Sequence, residues 1–274
     1  MNKRISKEQS EIEQEILQLE KPLAGIGHSV ANAYPTRSIL GYQAEWHARG
    51  IIYHTRNLFR YYSDFSREVS SRASSDAEVI VMYAPDYQNL LFELYALVNL
   101  FRISMDNLRI FLHPLFKSRS DQLPKSVKDV LKCMTDCPVY TMLSKQKILD
   151  YVIDFRNCLV HYRSFATSDN ALVIEEGKET ELGTEVQTFF AAMAKASFRR
   201  IGKNCISVNI FLPDRIFDIS PKGEKLAKFT FDEQLNLLSM TREFARLGVY
   251  TLVMTMELLR DIDQPLYTFS SHKT

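Results

Sequence analysis

The chain is poor in the residues that cross-link small proteins or bind metals. Only four of its 274 residues are cysteines, and they are too scattered for the disulfide framework of a small secreted domain. Cys133 and Cys137 lie one helical turn apart without a second matching pair, which favours reduced thiols over a zinc site. The histidines show no metal-ligand spacing with carboxylates or cysteines. We therefore predict neither a metal nor a cofactor.

Long apolar runs and an excess of charge of one sign are also missing. No stretch approaches the roughly 18 apolar residues that are needed to cross a bilayer, and residues 1–20 mix charges with isoleucines instead of forming a signal-peptide core. We expect a soluble, cytoplasmic protein with no membrane partner. The formal net charge of +1 creates no global basic field, so any contact with nucleic acid must come from a local patch. No glycine-rich phosphate loop or dinucleotide fingerprint is present.

Helical periodicity dominates what is there. Apolar residues recur every three or four positions in several segments, which predicts amphipathic helices over 6–20, 36–72, 86–113, 126–134, about 145–161 and 233–260. Asp232 is the expected N-cap of the last helix. Short β-branched or aromatic runs predict strands at 171–175, 206–212, 216–219 and 226–231, with a further helix near 185–199. The expected fold is mainly α with a small antiparallel β insertion.

The first long helix is the most basic and aromatic part of the chain. Arg49, Arg56 and Arg60 alternate there with tyrosines and with the only tryptophan, Trp46. Such a pattern can stack bases and pair with phosphates. It is also the pattern of an ordinary helix with one solvated and one buried face. The sequence leaves both interpretations open.

The run from Arg156 to His161 is the best candidate for chemistry. It lies near the end of a predicted helix whose core stripe is Ile148, Val152, Phe155, Leu159 and Tyr162. Asn157 and His161 are four residues apart, so they share a ridge, and Arg156 flanks them. Ile153 and Val160 interleave with these polar residues and suggest contact with a second surface. Alternatively, an Arg and a His near a helix end simply pair with its last carbonyl groups.

Arg156-Asn157-x-x-x-His161, preceded by the long helix that ends at His113, resembles the signature of the HEPN superfamily. The resemblance covers mainly 86–165, and 229–259 fits the closing helix of a HEPN-like four-helix bundle. It implies residues 1–75 as an N-terminal helical extension and 76–274 as the HEPN-like domain, with the β insertion at about 170–231.

The resemblance also implies a function. It predicts a metal-independent endoribonuclease of toxin or antiphage-defence type, whose active site forms between two copies in a homodimer. Arg156 would bind the scissile phosphate, His161 would act as general acid or base, and Asn157 would orient one of them. We expect RNA as the partner, contacted also by Arg49, Arg56, Arg60 and Arg163, and an antitoxin or defence-system protein as a further one. The alternative is a non-catalytic HEPN-like module that binds a partner protein, a nucleotide or RNA.

Overall fold

The computed structural model describes residues 11, 14–24, 26, 38–72, 79–113, 124–133, 137–145, 147–161, 171–175, 195–202, 205–219, 226–230 and 235–261. Within these residues the α-helices are α1 (Ser38–Arg72), α2 (Ala84–Phe111), α3 (Val127–Cys133), α4 (Pro138–Ser144), α5 (Lys147–His161) and α6 (Leu237–Arg260). The strands are β1 (Val79–Tyr83), β2 (Ala171–Glu175), β3 (Lys195–Gly202), β4 (Cys205–Leu212), β5 (Arg215–Ile219), β6 (Leu226–Thr230) and β7 (Leu235–Asn236). Residues 14–20 are also helical and lead into a short 3-10 helix, Lys21–Leu23. The predicted mainly α fold is confirmed.

The described residues fall into two compact units, and α1, α2, α5 and α6 contribute to both. The unit named here the helical unit lies within Glu8–His54, Leu97–Ile153 and Glu243–Thr274. The other, the sheet unit, lies within Thr55–Ala96 and Asp154–Arg242. The division predicted between residues 75 and 76 stays a prediction.

The helical unit packs four helices around phenylalanines. The rings of Phe101 in α2 and Phe244 in α6 lie 5.9 Å apart, and Tyr151 of α5 stacks on Phe244 at 6.4 Å. α1 completes the packing, because Gly248 of α6 brings its backbone close to Ile51. Aromatic burial of this kind contributes about 0.5–1.5 kcal/mol per ring pair beyond the hydrophobic effect itself.

The strands of the sheet unit form small antiparallel sheets. β1 pairs with β2, with Val79 opposite Glu175 and Tyr83 opposite Ala171. β4 lies between β3 and β7, and β5 pairs with β6. The C-terminal half of α1 packs here, where the buried hydroxyl of Tyr62 donates a hydrogen bond to the carbonyl oxygen of Val208 in β4.

Three local predictions need correction. Residues 195–199 belong to strand β3, which pairs with β4, and not to a helix. Strand β1, which precedes α2, was not predicted, so the sheet structure is not confined to the insertion. The last helix begins at Leu237 and not at Glu233, because 235–236 pair with β4 as strand β7. Its cap is therefore Asn236, whose side-chain oxygen accepts hydrogen bonds from the backbone N–H groups of Leu238 and Ser239.

Candidate functional site

Helix α5 carries the motif, and its sequence explains why it is held in place. Leu149, Val152, Ile153 and Phe155 are all buried, which gives the helix an apolar stripe wide enough to anchor it on one side. Asp150 lies on the exposed side and forms an ion pair of 2.8 Å with Lys128 of α3. The helix is continuous from Lys147 to His161.

Arg156 and Asn157 lie together in the sheet unit, both partly buried. The guanidinium Nη1 of Arg156 donates a hydrogen bond of 3.4 Å to the side-chain oxygen of Asn157. The Nε of Arg156 is buried and has no hydrogen-bond partner among the described residues. A buried N–H without a partner costs free energy, so the position calls for an explanation. The role predicted for Asn157, to orient either Arg156 or His161, stays a prediction.

The other two residues of the predicted site are less fully described. His161 is the last residue of α5, so its backbone lies one helical turn beyond Asn157. Its side chain lies outside the described part of the structure, and Arg163 lies outside it altogether. Their proximity to Arg156 stays a prediction.

The expectation of a mixed apolar and polar face on α5 needs a partial correction. Ile153, which was assigned to that face, is 7% exposed and belongs to the core. The reason is that the buried stripe of α5 is turned toward Leu149 and Ile153, whereas Ile148 of the expected stripe is only partly buried. Val152 and Phe155 are fully buried, as predicted.

The three predicted RNA-binding arginines of α1 are all on the surface, but their surroundings differ. Arg49 forms a 2.6 Å ion pair with Glu45, four residues earlier, which compensates its charge. The guanidinium of Arg60 lies 4.7 Å from the ring centre of Tyr61. Arg56 is exposed. Arg60 thus adopts a stacked arrangement with an aromatic ring, whereas Arg49 is bound to a carboxylate.

A buried histidine in the helical unit was not singled out from the sequence. His47 of α1 is 8% exposed, with Nδ1 3.2 Å from Ser104 Oγ and Nε2 3.1 Å from Asn107 Nδ2 on α2. Because the Ser104 hydroxyl donates its proton to the carbonyl oxygen of Leu100, it accepts from His47 Nδ1–H. Asn107 Nδ2 can only donate, so Nε2 accepts. These partners assign a neutral imidazole, and burial lowers the His47 pKa.

The periodicity of α1 could have revealed this histidine. Ala44, Ala48 and Ile51 are buried at helical spacing, and His47 lies on the same side of the helix. Its partners, however, are 57 and 60 residues away along the chain. Local sequence pattern therefore predicts burial of His47 but not the hydrogen bonds that make burial tolerable.

The described residues offer little other chemistry. α6 and Met142 line an open cleft of about 380 Å³ that contains Arg246 and Glu243, whose charged groups are 4.0 Å apart. Cys137 is buried, and burial raises the pKa of its thiol. No group of three or more His, Cys, Asp or Glu residues that could hold a metal ion occurs within the described ranges. Nor is any helix there long and apolar enough to cross a membrane.

In comparisons with known proteins, no family model, no curated protein and no solved structure matches the chain.

Proposed function

We propose that the chain is a metal-independent endoribonuclease of the HEPN type, with an active site assembled from two copies and a role as a toxin or in antiphage defence. The observation that supports this best is the hydrogen bond between Arg156 Nη1 and Asn157 Oδ1 near the end of α5. Arg, Asn and His at these positions belong to one uninterrupted helix. A ligand at the end of that helix would therefore meet residues whose backbones are fixed relative to one another.

The proposed reaction needs one base, one acid and one positive charge. The imidazole of His161 takes the proton of the RNA 2′-hydroxyl, and the 2′-oxygen attacks the adjacent phosphorus. The bond to the 5′-oxygen breaks, and a protonated His161, supplied by the second copy, gives that oxygen its proton. The products are a 2′,3′-cyclic phosphate and a 5′-hydroxyl. Histidine suits both roles because its ordinary pKa lies close to neutral pH.

Arg156 supplies the positive charge that a metal ion would otherwise provide. Its guanidinium can present a planar pair of N–H donors to two phosphate oxygens. The amide oxygen of Asn157 accepts from one Nη and so restricts how the guanidinium can turn. The partner of Arg156 among the described residues is thus a neutral amide, which leaves its full charge for the phosphate.

The test is cleavage of a single-stranded RNA pool in EDTA by the purified full chain and matched variants. His161→Ala and Arg156→Ala should each lower the rate at least about a hundredfold. Asn157→Ala keeps the charge but releases the guanidinium, so we expect a loss of about tenfold to a hundredfold. His54→Ala and Arg246→Ala remove the same residue types elsewhere on the chain and should cleave like the wild type.

Two results would contradict the proposal. Cleavage that persists in His161→Ala at the wild-type rate would assign the activity to another site or to a contaminant. Absence of cleavage by the folded wild type would favour the non-catalytic interaction module instead. Circular dichroism of every variant separates loss of catalysis from loss of fold.

A further inference from the structure

The helical unit exposes an unusual set of large apolar side chains on two neighbouring helices. Trp46, the only tryptophan of the chain, is 69% exposed, and Ile39 is 68% exposed. Tyr42 on the same helix and Ile103 and Ile110 on α2 are also exposed. We call these five residues the α1–α2 face. Isolated exposed apolar residues are common on protein surfaces, but a cluster of this kind marks an interaction site.

The contacts between α1 and α2 show that the five residues share one side of the helix pair. His47 contacts Ser104 and Asn107, whereas Gly50 approaches Leu100, so the two helices run antiparallel. Gly248 of α6 approaches Ile51 of α1 and Phe101 of α2, so these two residues lie on the side of the helix pair that faces α6.

Helical spacing then fixes where the apolar residues lie. On α1, Ile39 and Trp46 are seven residues apart. Around the helix axis, Gly50 lies between them and Ile51. On α2, Ile103 and Ile110 are likewise seven apart and lie about half a turn from Phe101. Both pairs therefore flank the line of contact between α1 and α2, here called the seam, on the side opposite α6.

The charges around the α1–α2 face are compensated. Arg49 is paired with Glu45 on α1, and Arg102 is paired with Asp106 on α2 at 2.5 Å. His47 under the seam has partners that assign it as neutral. A nucleic acid needs uncompensated cations, because its affinity comes largely from phosphate neutralisation. The α1–α2 face is therefore suited to a protein surface with an apolar centre and both signs of charge at its rim.

We infer that a second copy of this chain packs against the α1–α2 face. In a two-fold symmetric contact each face meets its own copy, so a rim with one cation and one carboxylate on each helix can pair with itself. The five side chains offer on the order of 500 Å² of apolar surface, a large part of the roughly 800 Å² that each partner buries in a stable complex. Tryptophan, tyrosine and arginine are also the residues that most often dominate such interfaces. This contact involves other residues than the two α5 ends that meet in the proposed ribonuclease, and the inference does not rest on that activity.

The experiment is sedimentation equilibrium of the full chain over a range of concentrations, combined with the emission of Trp46. Because Trp46 is the only tryptophan, its emission reports on this face alone. The variants are Trp46→Arg on α1 and Ile103→Arg on α2, and Tyr250→Arg on α6 is the matched control, since Tyr250 is an exposed aromatic residue outside the face.

We expect both face variants to sediment at half the mass of the wild type and of Tyr250→Arg, because one contact between copies is lost. Each substitution should weaken association about thirtyfold per copy, and a symmetric dimer contains it twice, so the dissociation constant should rise about a thousandfold. Dilution of the wild type should shift Trp46 emission to the red as the face becomes exposed to water. The His161→Ala variant should keep the mass of the wild type, which keeps this result distinguishable from the cleavage result.

Several outcomes would overturn the inference. One is a wild type that stays monomeric at all concentrations, and another is an assembly whose mass neither face substitution lowers. A monomer with blue-shifted Trp46 emission would mean that another part of the same chain covers the face. Quenching of Trp46 by a single-stranded oligonucleotide, in a monomer, would assign the face to nucleic acid instead.

Discussion

Substituting alanine at two helical glycines should affect stability differently. Gly50 and Gly248 both lie inside long helices of the helical unit. In the interior of a helix, alanine is favoured over glycine by about 1 kcal/mol, because glycine loses more conformational freedom on folding. Propensity alone therefore predicts that both variants are more stable than the wild type. What differs is the atom that a new Cβ would meet.

At Gly50 the new methyl group would approach the Cδ2 atom of Leu100 at 2.7 Å. Leu100 is only partly buried, and the atom is the end of a flexible side chain, so it can move to another rotamer. That adjustment costs about 0.5–1 kcal/mol, which the helix propensity offsets. Gly50→Ala should be neutral or up to about 0.5 kcal/mol more stable.

At Gly248 the new methyl group would meet two fully buried side chains. The Cδ1 atom of Ile51 would lie at 2.8 Å, and two ring atoms of Phe101 at 3.1 and 3.3 Å. The Phe101 ring is fully buried and packed against Phe244, so its movement is restricted. Overpacking of this kind costs about 1–3 kcal/mol, and after the propensity gain we expect Gly248→Ala to be about 1 kcal/mol less stable.

The assay is urea unfolding of both variants and the wild type, followed by circular dichroism. Comparing the two alanines removes the shared propensity term, so the difference between them isolates packing. We expect Gly50→Ala to be the more stable by about 1–2 kcal/mol. Equal midpoints, or a more stable Gly248→Ala, would refute the close packing of α1, α2 and α6 at this point.

Two further perturbations test individual hydrogen bonds. Burial lowers the His47 pKa in the folded chain, so the unfolded chain binds the proton more readily. The stability that neutral His47 contributes is therefore complete above about pH 6.5 and declines as the pH falls below it. Urea midpoints at about pH 5 and about pH 8 should show this decline, and His47→Gln should reduce it; an unchanged slope in His47→Gln would contradict the assignment. Tyr62→Phe removes the hydroxyl that donates to the carbonyl oxygen of Val208, so it should lower the free energy of unfolding in urea by about 1–3 kcal/mol. Tyr53→Phe, on the exposed side of α1, should leave that free energy unchanged. Equal losses in the two variants would refute the hydrogen bond.

The long helices were predictable because their apolar residues repeat over many turns. The expected helices at 36–72 and 86–113 differ from α1 and α2 by only two residues at any end. Such repeats are local, and each additional turn strengthens the same pattern. The same repeat extends across Gly41 and Gly50, which lie within α1.

The errors fall where pairing between distant segments decides the structure. The alanine-rich sequence around 191–196 favours a helix locally, but residues from Lys195 onward pair with β4 as a strand. In the same way, Asp232 and Asn236 are both good N-cap residues by type. The pairing of β7 with β4 holds the chain extended as far as Asn236, and only this selects the cap.

The candidate arginines differ in whether a carboxylate neutralises their charge, and this difference is partly predictable from the sequence. Glu45 stands four residues before Arg49, which is the favourable order for a helical ion pair, so the compensation of Arg49 could have been predicted. Arg156 instead donates to the neutral side chain of Asn157, and no described carboxylate pairs with it.

In the proposed ribonuclease, Arg49 and Arg156 should therefore have different roles. A phosphate that approaches Arg49 must compete with a carboxylate already 2.6 Å away, whereas at Arg156 it competes only with an amide oxygen at 3.4 Å. Affinity for the scissile phosphate should therefore come mainly from Arg156. Arg49 remains suited to the rim of a protein interface, where an arginine and a carboxylate together can pair with their counterparts on a second copy.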